Sequence, residues 1–81
     1  MLDEELHQRI NALAAEEHQL ISAHRDGHGL TDEERIRLRR LEVSLDRAWD
    51  LLRQRAARRS AGLDPDGAVE RDGATVENYL S

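Results

Sequence analysis

Glu4 and His7 stand three residues apart, the Glu-x-x-His spacing with which some helix bundles hold a di-iron centre. Such a centre takes two of these motifs and two further carboxylates, all facing inward. At about 100° per residue, His7 falls one step round from Leu6, the leading apolar residue of its segment, and so points outward. His24 and His28 flank "RDG" at the end of the same segment and make a weak pair, while residues 32–60 hold no histidine. Cysteine is absent, which excludes disulfides and thiolate-bound zinc. The chain has no Ser-His-Asp grouping, phosphate-cradling glycine loop or HExxH motif. The expectation is a protein without catalytic, metal or cofactor residues: not an enzyme, and no cofactor.

Arginine carries the second possible chemistry. The stretch "LRRLEVSLDRAWDLLRQRAARRS", residues 38–60, contains Trp49, the one tryptophan of the chain. Arg40, Arg47 and Arg58 share a helix face opposite the apolar stripe, with Arg39 beside them. Such a stripe could contact phosphates, and an exposed ring beside it could stack on a base. Asp46 and Asp50 interrupt it, and a net charge of -5 argues against nucleic acid as the default partner. Trp49 has Leu45, Leu52 and Ala56 at helical spacing, so its expected role is packing at the edge of a helix pair, beside small Ala48.

Two amphipathic segments must position these residues. In the first, Leu2, Leu6, Ile10, Leu13, Leu20 and Ile21 fall on one stripe, with Asp3 as N-cap, and the spacing predicts a helix over 3–25. Gly27 and Gly29 in "RDGHG" end it. The second opens on a capping box, Thr31 with Glu34, and its stripe is Leu38, Leu41, Leu45, Ala48, Trp49, Leu52 and Ala56. Gly62, followed by Leu63 and Pro65, stops a helix predicted over 32–61. A short connection folds the two antiparallel. Folding about Gly29 sets Leu20 against Leu38, Leu13 against Leu45, Ile10 against Ala48, Leu6 against Leu52 and Leu2 against Ala56. The fold class is therefore all-α: a coiled-coil-like antiparallel two-helix hairpin over 1–62, followed by an acidic tail over 63–81.

Charge supports the pairing. Residues 1–25 carry -3, residues 32–60 carry +3, and the tail carries -4. "DPDGAVERDG" reads as an irregular linker and "TVENYLS" has the pattern of one helical turn, with Val76, Tyr79 and Leu80 on one side. That patch docks on the hairpin, docks on a partner, or stays loose. The acidic tail could also lie on the arginines of the second helix. Ile36 and Val43, seven residues apart, sit away from the stripe and could mark a second contact, for the tail or another subunit. Glu17 and His24 interrupt the first stripe, and a carboxylate there is expected near Arg37 or Arg39, or partly wet.

The segments "AAEEHQL", "RLRRLEVSLDRAWDLLRQRAARRSAGLDPD" and "VENYL" resemble a small bacterial family, domain of unknown function 2630. The resemblance spans nearly the whole chain. It implies a source among high-GC Gram-positive bacteria, where arginine replaces lysine, and brings no catalytic residues. It implies that Glu16, Glu17, His18, Asp46, Trp49, Asp50, Arg53 and Tyr79 belong to the family pattern, and that the tail is ordered with a docking place for "VENYL".

A chain of 81 residues makes one domain and buries only about 60–65% of its unfolded surface, so self-association is the expected support. No apolar run approaches the length of about 18 residues that spans a bilayer, and the acidic start is unlike a signal peptide. The expectation is a cytoplasmic interaction or regulatory module that forms a homodimer, an antiparallel assembly of four helices. Its contact residues would be Ile36, Val43, Trp49, Arg39, Arg40, Arg47, Arg58 and Tyr79. The alternative is a nucleic-acid-associated protein that uses the arginine face.

Overall fold

The computed structural model describes residues 2–25 and 29–80 of the chain, apart from the side chains of residues 24, 25 and 78–80. The readings placed on Gly27, His28 and the side chains of His24, Tyr79 and Leu80 therefore lie outside the described residues.

Helix α1 (Asp3–Arg25) and helix α2 (Asp32–Ser60) run antiparallel, and α3 (Gly73–Leu80) follows a 3-10 turn at Pro65–Gly67. The described residues form no strand. The start of α2 is fixed locally. The Thr31 hydroxyl accepts from the Glu34 amide at 3.1 Å, and the Glu34 carboxylate accepts from the Thr31 amide at 3.0 Å. Its end is fixed by Gly62, whose φ of +74° is open to glycine at little cost. The chain can then turn so that the Leu63 amide donates to the Arg58 carbonyl at 2.8 Å. Asp3 departs from its expected role. It is the first residue of α1 and its carboxylate reaches across to α2 instead of capping.

The core is narrow. Leu6 and Ile10 of α1 are buried with Ala48 and Leu51 of α2, and Leu45, Leu52 and Ala68 pack against them. The pairing follows the expected fold-back, with Asp3 bonded to Arg55 and Leu6 beside the middle of the second stripe. The rotation of α2 differs from the expected stripe. Leu51 is buried at 6% exposure, whereas Trp49 keeps 45% and Leu2 of the first stripe keeps 63%. The physical reason is that α2 serves two neighbours. Helix α1 covers one flank and the tail covers the adjacent one, so the most buried line shifts toward the side where Leu51 lies between them.

The tail runs back along α2. In the 3-10 turn the Asp64 carboxylate accepts from the Asp66 amide at 2.9 Å, and Pro65 supplies the fixed φ that starts it. Asp72 then accepts from the Thr75 amide at 2.7 Å and caps α3. Val76 is buried, and Gly73 sits so close to Val43 that a Cβ there would lie 2.6 Å from Cγ1. Of the three fates open to the tail, the structure has it docked on the hairpin.

Candidate interaction surfaces

Three sides of α2 carry the residues that could do work. The first faces the tail, and its polar side chains clasp one backbone strand after another. Arg58 donates from Nε to the Asp64 carbonyl at 2.6 Å. Arg55 donates from Nη1 to the Pro65 carbonyl at 3.3 Å and to the Asp66 carboxylate at 2.9 Å. Gln54 donates to the Val69 carbonyl at 2.9 Å and accepts from the Val69 amide at 3.4 Å, as a neighbouring strand would. Arg47 donates to the Arg71 carbonyl at 2.9 Å. Farther along, Glu77 Oε1 lies 3.6 Å from Arg39, its counter-charge, and is buried without a hydrogen bond.

Two charged residues of α2 are buried in this arrangement, Asp50 and Arg55. Burial of a charge is tolerated when its hydrogen bonds are complete. Asp50 receives both prongs of Arg71, from Nε at 2.9 Å and from Nη2, and a further bond from Gln54 at 2.9 Å. These bonds, that of Arg71 foremost, hold its carboxyl below the usual carboxylate range against the opposing effect of burial. Arg55 gives its Nε to Asp3 at 2.6 Å, and Arg59 gives Nη2 to the other Asp3 oxygen at 2.7 Å. The Asp3 carboxyl is accordingly lowered to about 2, with Arg59 the larger cause and Arg55 the next. Glu70 links the tail to α1 through Arg9, at 2.7 Å, and Arg9 lowers its carboxyl.

The second side faces α1, where Arg37 donates to Glu16 at 3.1 Å. Glu17, expected as the partner of Arg37 or Arg39, is half-buried one residue away. The third side lies away from these hydrogen-bonded contacts. It carries Trp49, exposed, with half-buried Asp46 and exposed Arg53 on the adjacent turns.

The nominated residues divide among these sides. Arg39, Arg47 and Arg58 hold the tail, so they are not the freely solvated stripe of the first reading. Arg40 is exposed. Val43 lies under α3, while Ile36, on the same line of α2, is 54% exposed. Trp49, at 45% exposure, stands at the margin of the helix pair, and Leu51 takes the more buried place. The docking place of Tyr79 lies outside the described side chains. Arg9, Gln54, Arg55, Glu70 and Arg71 are not marked by spacing, and Asp3 and Asp50 hold other roles than spacing gives them. One signal was available: Arg71 is the one basic residue of an acidic tail, and such a residue needs an acid to meet. Among the described residues no group of three or more His, Asp or Glu could hold a metal ion, and no helix is long and apolar enough to cross a membrane.

Comparison with known proteins places these features in a wider set. The sequence profile of the family described as "Protein of unknown function (DUF2630)" matches residues 2–81. Uncharacterised proteins of Mycobacterium bovis and of two strains of Mycobacterium tuberculosis are each 47% identical to this chain over 77 residues, which is 95% of this chain and 88% of theirs. No solved structure matches the chain.

Proposed function

The chain belongs to the DUF2630 family of proteins of unknown function, and from that premise we propose that it is a non-catalytic helical interaction module that associates with a second copy of itself. The observation that carries this reading is the position of Trp49, a large aromatic residue that stays 45% exposed, away from the hydrogen bonds that hold the tail. Tryptophan is among the residues that contribute most to protein interfaces when their surroundings are dry. The small core gives a second reason, since a chain of this length gains stability from burying more surface in a partner. A cytoplasmic location is part of the same proposal and is checked by cell fractionation.

Sedimentation equilibrium over a wide concentration range tests it. The expected result is a reversible dimer that Trp49→Ala weakens without loss of helix content. A compact monomer at every concentration would remove self-association from the proposal.

Nucleic-acid association is the alternative, and the same exposed indole favours it, with Arg53 exposed one turn on. Against it stands the engagement of Arg39, Arg47 and Arg58 by the tail, which leaves Arg40 of that set outside the clasp. A gel shift that appears at low salt and fades steeply as salt rises would favour the alternative.

A further inference from the structure

We infer that the self-association is two-fold and antiparallel. Helix α2 of one copy lies along α2 of the second, with the two Trp49 rings at the centre and Asp46 of each copy facing Arg53 of the other. The inference rests on the reading above and adds the geometry of the contact.

Glu42, Asp46, Trp49, Arg53 and Ala56 recur at alternating spacings of four and three. That is the seam pattern of one helix packing along another. The side of α2 facing α1 has the buried line of Leu41, Ala48 and Leu51, and the tail takes the side of Val43, Arg47 and Asp50. The seam of Trp49 lies on neither.

Of the charges on this seam Glu42 is engaged, 3.8 Å from Arg39, and two are not. Arg37, Arg39, Arg47, Arg55, Arg58 and Arg59 each close a hydrogen bond or ion pair within the chain. Asp46 and Arg53 close no hydrogen bond or ion pair with a described residue, and Arg53 acts on Asp50 through charge alone. They cannot satisfy each other within one helix, because seven residues separate them by about 10 Å along the axis. A two-fold axis through Trp49 removes the problem. It brings residue 46 of one copy opposite residue 52 of the second, beside Arg53, and does the same in reverse. Each acid then meets a base at both ends of the contact, and residue 42 meets the small Ala56. Parallel pairing in the same register would set Asp46 on Asp46 and Arg53 on Arg53, which like-charge repulsion disfavours. A closed, self-complementary patch is the form that two-fold interfaces take. With one aromatic pair and two exposed ion pairs, the dimer is weak and concentration-dependent.

The test uses the full chain in sedimentation velocity, with Asp46→Arg and Arg53→Asp made separately and together. Each single variant is expected to weaken the dimer about tenfold, and the double variant to restore it, as reversal of two ion pairs of modest strength implies. A mixture of the two single variants is expected to form a mixed dimer tighter than either alone. Circular dichroism confirms that the variants fold. A second measurement does not depend on charge. The chain has no cysteine, so Glu42→Cys and Ala56→Cys variants, mixed and oxidised, report orientation directly. Disulfides between positions 42 and 56 support the antiparallel contact, and a preference for 42 with 42 overturns it. A wild-type dimer indifferent to both charge reversals overturns the geometry and leaves self-association standing. A wild-type monomer at all concentrations overturns both.

Discussion

Arg71 and Asp50, 21 residues apart in the chain, meet in a two-pronged ion pair whose carboxylate is 1% exposed. The pair fastens an otherwise irregular segment to the middle of α2, and its two halves are unequally buried. Arg71→Ala leaves a charge in the interior with one hydrogen bond, from Gln54, and the more distant charge of Arg53, at an expected cost of about 2–4 kcal/mol. Asp50→Asn weakens the pairing of an arginine whose side chain is 39% exposed, so its cost is smaller, about 1–2 kcal/mol. Urea unfolding of the two variants checks the order, and equal costs would mean that the tail contributes little to the burial of Asp50.

Acid should release the tail. Asp3, Asp50, Asp66 and Glu70 have carboxyls lowered by hydrogen bonds from Arg59, Arg71, Arg55 and Arg9 respectively, and Asp72 by the Thr75 amide. A group whose value is lower in the folded state adds stability above its unfolded value, about 4, and loses it as pH falls through the folded value. For Asp3 that window runs down to about 2. Stability is therefore expected to be level from pH 7 to about 5 and to fall below about 4. Urea midpoints as a function of pH check this, and a decline that begins near pH 6 would point to histidine instead.

Gly73 is a contact as well as a helix start. A methyl group at this position meets Cγ1 of Val43, so Gly73→Ala is expected to loosen α3 by about 1 kcal/mol despite the better helix propensity of alanine. Faster hydrogen exchange of the Val76 amide reports it. Val43→Ala in the same chain should return that exchange most of the way, because it removes the obstructing methyl groups.

Leu51 and Leu2 test the rotation of α2. Leu51→Ala is expected to cost about 2–4 kcal/mol, as in other buried leucine truncations, and Leu2→Ala less than about 0.5 kcal/mol. Thermal or urea melts of the two variants separate them, and a comparable loss at Leu2 would restore the stripe read from spacing alone.

The sequence by itself determined the two long helices, both ends of the second and the antiparallel fold-back. Each of these is local or nearly so. Thr31 and Glu34 cap within one turn, Gly62 supplies a backbone angle closed to most residues, and a short connection leaves only a fold-back. The sequence also marked the arginines as a place where an acidic tail could lie. Which arginines hold the tail, and through which atoms, only the tertiary structure decided. The partners of Arg47, Gln54 and Arg58 are backbone carbonyls, and a carbonyl leaves no signature in side-chain pattern. The rotation of α2 was hidden for a related reason. Helical periodicity identifies an apolar stripe, but two neighbours of different chemistry compete for the helix, and the balance between them buried Leu51 and Asp50 while leaving Trp49 partly exposed.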